Sequence, residues 1–179
     1  MRAGSHTIRL AVAAVALLLL LAGTAQLGRA QAAAPADPGS RKFLGWCSRV
    51  PLKSFDRQRK LSLKQLRCLA IRVGWRGRDA RRAAAVAMAE SRGRVKAIER
   101  VHRNGLGLFQ IDRRFWDISR RCAMSAVCNA RYARKQVFRR HGFHAWATYS
   151  YIHPGERTYR YCRWLGKAFK HRHERRCLA

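Results

Sequence analysis

The chain has 179 residues, with 39 Lys and Arg against 9 Asp and Glu, a formal net charge of +30. That length suits one domain, and an apolar fraction of 48% argues against simple disorder in spite of the charge. A purely cytosolic reading fits poorly, because the opening residues have the pattern of an export signal.

Arg2 and Arg9 precede an apolar run from Leu10 to Ala22, no acid occurs before Asp37, and Ala30-Gln31-Ala32 offers a small-x-small cleavage site. Residues 1–32 therefore read as a secretory signal peptide, the run being short for a membrane span of ~20 residues. Its removal takes away Arg2, Arg9 and Arg29 and no acid, which leaves +27 on 147 residues. No later segment is apolar enough to cross a bilayer, so no span is expected after cleavage. Residues 33–42 read as a linker from Pro35, Pro38, Gly39 and Ser40. The folded domain is expected over 43–179.

From there the pattern is helical. Ser62 with Gln65 three residues on forms a capping box, Leu63, Leu66, Ala70 and Val73 follow at helical spacing, and Gly74 supplies the stop. Asp79 reads as the N-cap of a second helix, which runs through an alanine-rich stretch to Glu90 and ends at Gly93. A loop over 94–108 carries Asn104-Gly105 as a turn signal and leads into the short apolar piece from Leu108 to Ile111. A third helix is expected over 125–140, with Val127, Ala130, Ala133 and Val137 inward and Gly142 after it. A last helix is expected over 156–170.

Six cysteines follow the export signal: Cys47, Cys68, Cys122, Cys128, Cys162 and Cys177. An even count in an oxidising compartment reads as disulfides. Of the fifteen pairings that six cysteines allow, neighbour pairing is the expectation: Cys47–Cys68, Cys122–Cys128 and Cys162–Cys177. A zinc site from His171, His173 and Cys177 is disfavoured, since the basic tail has no second close cysteine pair.

Glu90 is the most informative residue. It extends the apolar face defined by Val86 and Ala87, and it sits in the last turn before Gly93, where the helix dipole disfavours a negative charge. Desolvation pushes the same way. A carboxyl held protonated near neutrality is what a general acid for glycoside cleavage requires. The plain alternative is a structural ion pair with one of the many arginines, and local sequence alone favours it.

The surroundings shift that balance. Ala89-Glu90-Ser91, then Gly107-Leu108-Phe109-Gln110-Ile111-Asp112, then Cys128-Asn129-Ala130, then Trp146-Ala147-Thr148-Tyr149 occur in this order. Together they resemble the lysozyme-like superfamily, which includes lytic transglycosylases (SLT domains) and goose-type lysozymes. The resemblance covers roughly residues 60–152. The family's usual third motif is Ala-Tyr-Asn. Here the nearest match is Ala147-Thr148-Tyr149-Ser150, with one extra residue and no Asn. The basic, cysteine-containing tail over 153–179 has no counterpart in it.

The resemblance implies a mainly α, lysozyme-like single domain with disulfides. It implies that Glu90 protonates the β-1,4 bond between N-acetylmuramic acid and N-acetylglucosamine in peptidoglycan glycan strands. Ser91 and Gln110 would line the sugar cleft, Tyr149 would support the catalytic carboxyl or the substrate, and Trp146 would stack on sugar or pack in the core. Asp112 stands where goose-type lysozymes place an aspartate, so it is the candidate for holding a water. Glu99 and Asp117 are weaker candidates. Without a base, the muramic 6-hydroxyl would attack intramolecularly, as in lytic transglycosylases.

No Gly-rich phosphate loop and no His-Glu-x-x-His occurs, so no cofactor or catalytic metal is expected. The charge predicts anionic partners such as wall polymers, and export argues against nucleic acid as the specific one. A monomer in the secreted or cell-envelope compartment is expected. The competing class is a non-catalytic cationic wall-binding or antimicrobial protein on the same fold.

Overall fold

The computed structural model describes residues 38–169 and Cys177. The expected signal peptide, its cleavage site, and His171 and His173 lie outside the described residues. Helix α1 spans Pro38–Arg49 and so begins inside the stretch expected to be a linker. Proline suits a first helical position, because its fixed φ is helical and its missing N–H has no partner there anyway. Arg72 closes the far end of α1. Its guanidinium donates to the carbonyls of Cys47, Ser48 and Val50 at 2.8–2.9 Å.

Helix α2 covers Leu52–Asp56 and α3 covers Leu63–Arg72. The capping box forms as expected. The Ser62 hydroxyl accepts from the Gln65 amide at 3.3 Å, and the Gln65 side chain accepts from the Ser62 amide at 2.8 Å. Gly74 follows with φ +109°, the stop that the sequence signals.

Helix α4, Gly77–Ser91, starts two residues before the expected Asp79 cap. The cap position falls to Arg76, whose side chain makes no capping bond. Asp79 lies in the first turn and pairs with Arg82 at 3.4 Å. An acid there favours the positive helix end as an N-cap would. Ala80 and every residue from Ala83 to Met88 are buried. A helix apolar on all sides is a central one, and α3 and α9 (Arg160–Phe169) both pack against it.

The segment expected as a plain loop contains a minimal antiparallel pair. Strand β1, Gly105–Leu106, pairs with β2, Ile111–Asp112, with Gly105 opposite Asp112 and Leu106 opposite Ile111. Two residues per strand are too few to show alternation. Helix α5, Arg120–Ala123, and α6, Ala126–Tyr132, follow, capped by the hydroxyls of Ser119 and Ser125. The expected third helix then widens into a π segment, Ala133–Phe138, before the short α7, Arg139–His141. Val127, Ala130, Ala133 and Val137 are buried, as their spacing predicts. A 3₁₀ turn, Gly142–Ala145, leads to α8, Ala147–Ser150. Helix α9 starts at Arg160 rather than 156, and contributes Tyr161, Cys162 and Leu165 to the core.

All three neighbour disulfides form, with Cα–Cα separations of 5.4, 5.0 and 5.4 Å in chain order. Cys177 is therefore a disulfide partner and not a zinc ligand. Among the described residues no helix is long and apolar enough to cross a membrane.

Candidate active site

Glu90 ends α4 at the floor of a surface cleft of roughly 640 Å³. That volume falls in the ~300–1,000 Å³ range of ligand clefts. The helix stops just beyond it. Arg92 takes a left-handed conformation at φ +54°, and its amide bonds the Met88 carbonyl at 2.9 Å. Gly93 follows at φ +76°, where a Cβ would lie 2.3 Å from the Leu61 carbonyl oxygen, so only glycine fits that turn.

The Glu90 carboxyl is half-buried, and Thr148 of α8 donates its hydroxyl to Oε1 at 2.7 Å. Burial pushes the carboxyl up to about 7, against the pull of the Thr148 hydroxyl and amide and the Arg160 guanidinium. Glu90 is thus protonated for a large fraction of the time at neutral pH. Among the described residues Glu90 forms no ion pair with an arginine, and its hydrogen-bond partner is Thr148.

The opposite wall comes from the β1–β2 turn. Gly107 sits at φ +75°, and a Cβ there would fall 2.0 Å from the Ala123 carbonyl oxygen. Asn129, fully buried on α6, clamps this turn from behind. Its amide donates to the Leu106 carbonyl at 3.1 Å, and its carbonyl accepts from the Phe109 amide at 3.0 Å. The Trp146 indole donates to the Phe109 carbonyl at 2.8 Å. Held so, Gln110 (φ +46°) lines the cleft and donates to the Gly107 carbonyl at 2.7 Å.

Asp112 lines the same cleft. Arg114 grips its carboxylate through Nε and Nη2, the shortest contact being 2.7 Å, and that holds its carboxyl below the usual range. Glu99 is a third cleft carboxylate, accepting from the Val101 and His102 amides at 2.7 and 2.8 Å. These amides keep it ionised and lower its pKa. The cleft therefore holds one raised and two lowered carboxyls. Asp117 does not line the cleft.

Ser91, Trp146 and Tyr149 do not line the cleft, and for Trp146 this is the core packing that the sequence left open beside stacking. Ser91 is buried, its hydroxyl donating to the Ala87 carbonyl at 2.9 Å and accepting from the Gly93 amide, so it shapes the helix end. Trp146 is buried against Phe109 and Phe143. Tyr149 is buried with its ring 4.5 Å from that of Tyr161, and the hydroxyl at Glu90 belongs to Thr148 instead. The one-residue offset in the third motif carries this difference. Sequence reasoning also missed Tyr151, which lines the cleft half-exposed. Its signal was weak, a lone aromatic past the last motif.

Residues 67–148 match the model of a family described as a lysozyme-like domain. Neither a curated protein nor a solved structure matches the chain. Residues 67–148 thus form a lysozyme-like domain, and at family level this suggests glycosidase activity on peptidoglycan. The match ends at Thr148, the residue bonded to Glu90. Helix α9, which packs on the Glu90 helix and brings Arg160 toward its carboxyl, lies beyond it.

Proposed function

We propose that the chain is an exported muramidase that cuts the β-1,4 bond between N-acetylmuramic acid and N-acetylglucosamine. The observation that carries this reading is the Glu90 carboxyl, raised to about 7 on the floor of a cleft and oriented by Thr148. Glu90 donates its proton to the scissile oxygen, and the leaving sugar departs as an alcohol while positive charge develops at the muramic C1. Two ionised carboxylates on the same cleft, Asp112 and Glu99, favour that charge electrostatically.

Asp112 is the proposed water-holding base, with Arg114 as its positioning residue. In the inverting route its carboxylate takes a proton from water as the oxygen attacks C1. In the transglycosylase route the muramic 6-hydroxyl oxygen bonds to C1 instead, and the Glu90 carboxylate left by the first step accepts the proton of that hydroxyl. Cleft cations support an acidic, peptide-bearing glycan as the substrate, since Arg92, Arg94 and Arg100 line the cleft and suit stem-peptide carboxylates. The export pattern and three disulfides support action outside the cytoplasm.

Mass analysis of fragments released from purified walls tests this. Muropeptides cut at muramic acid are expected, intact in water for hydrolysis and lighter by one water for transglycosylation. Asp112→Asn should cut the hydrolytic rate steeply and spare an intramolecular one. Release of no muramic-terminated fragment would overturn the reading and favour the non-catalytic cationic binder.

A further inference from the structure

A second cleft of roughly 750 Å³ lies on the π segment and α7, lined by the cations Arg134, Lys135, Arg139 and Arg140 and by Gln136. None of these residues lines the Glu90 cleft. No acid occurs between Asp117 and Glu156 in the sequence, and none lines this cleft.

The backbone produces the cluster. In an α-helix, residues five apart are turned by about 140° from one another, at ~100° per residue. In a π segment, hydrogen bonds reach five residues, so such residues sit one turn apart on the same side. Arg134 with Arg139, and Lys135 with Arg140, are each five apart across Ala133–Phe138 and its exit. The widened register thus turns Arg134 toward Arg139 and Lys135 toward Arg140, beside the Lys135 and Arg139 neighbours that a regular helix would also bring together.

Two of the side chains are also held in place. The Arg134 guanidinium lies 5.4 Å over the Phe138 ring, and its Nε is buried with no hydrogen-bond partner among the described residues. The Arg140 guanidinium lies 5.8 Å from the Trp116 ring centre. Lys135, Gln136, Arg139 and Arg140 are exposed. Planar guanidinium forks beside an amide suit phosphate oxygens, which accept two parallel hydrogen bonds.

We infer that this cleft binds a phosphodiester wall polymer and tethers the protein to the surface that it acts on. The choice of a wall polymer rests on the export reading proposed above. An anionic membrane is disfavoured by the absence of apolar residues from the cleft lining, since interfacial binding needs buried apolar area.

Titration of poly(glycerol phosphate) into the intact protein, followed by fluorescence anisotropy across a salt series, tests the inference. The variant Arg134→Gln/Lys135→Gln/Arg139→Gln/Arg140→Gln should bind at least tenfold more weakly at 0.15 M salt. Its log K against log salt slope should flatten by about three, near the ~0.7–0.9 expected per cation. A matched variant, Lys42→Gln/Lys53→Gln/Arg57→Gln/Arg78→Gln, loses the same charge at exposed positions elsewhere and should change binding about twofold. Lys135→Gln/Arg139→Gln/Arg140→Gln spares the half-buried Arg134 and should give most of the loss with an unchanged melting temperature. Glu90→Gln should bind as wild type, which separates tethering from cleavage. Equal losses in the two charge-matched variants would overturn the site in favour of a diffuse field. So would tighter binding to phosphatidylglycerol vesicles or duplex DNA that the cleft substitutions abolish, by assigning the cleft to another partner.

Discussion

Thr148 and Glu90, 58 residues apart in the chain, meet in a 2.7 Å hydrogen bond from the threonine hydroxyl to carboxyl Oε1. The hydroxyl favours the ionised form and burial opposes it more strongly, so the carboxyl settles at about 7.

Thr148→Val should therefore raise the Glu90 pKa further and slow the reaction. A pH–rate profile should show the alkaline limb moved up. The rate on the plateau should drop a few-fold to about tenfold, the equivalent of one hydrogen bond of ~0.5–1.5 kcal/mol. A limb that stays in place would mean that Thr148 does not tune the acid.

In the wild type the protonated form of Glu90 is the competent one, so turnover on soluble glycan fragments should decline as pH rises through about 7. The acid limb should reflect Asp112, whose folded pKa is depressed by Arg114. Loss of Arg114, in Arg114→Gln, should move that limb upward without moving the alkaline one.

Stability should show the same carboxyl. A folded pKa raised from 4.5 to about 7 means that the native state binds more protons than the unfolded chain between those values. Stability then falls as pH rises across that window, and the penalty is complete above it, at up to about 3 kcal/mol. Glu90→Gln removes the penalty. Its melting temperature should exceed that of wild type at pH 8 and match it at pH 4. Equal differences at both would show that the carboxyl is not desolvated.

How far the sequence foretold this varies with range. The Ser62–Gln65 box and the Val127, Ala130, Ala133, Val137 stripe are local patterns with one physical solution, and both appear. Asp79 was ambiguous because a carboxylate favours both the cap and the first turn. The π widening at Ala133–Phe138 keeps the same inward residues, so apolar spacing does not reveal it. Glu90 stood out only once the motif from Gly107 to Asp112 and the later ones were set beside its place on an apolar helix end. Its partner was not, because Thr148 reaches it through tertiary packing, and the family pattern pointed one residue further, to Tyr149. Asn129 was visible only as part of a motif, and its role as a clamp on the β1–β2 turn needed the fold.

That clamp makes its own prediction. Asn129→Leu leaves the Leu106 carbonyl and Phe109 amide buried and unpaired, at about 1–3 kcal/mol each. Denaturant unfolding should show a loss of about 2–5 kcal/mol. A loss under about 0.5 kcal/mol, the range of an ordinary surface change, would contradict the clamp.

The most direct measurement is the rate of muropeptide release from purified walls by Glu90→Gln at pH 6, with its fold checked by circular dichroism. Gln keeps the shape and can accept the Thr148 hydrogen bond, but it has no proton to give to a leaving oxygen. The account predicts a loss of ~10²–10⁴-fold, the usual contribution of a general acid, with wall binding unchanged. Release at the wild-type rate would contradict it.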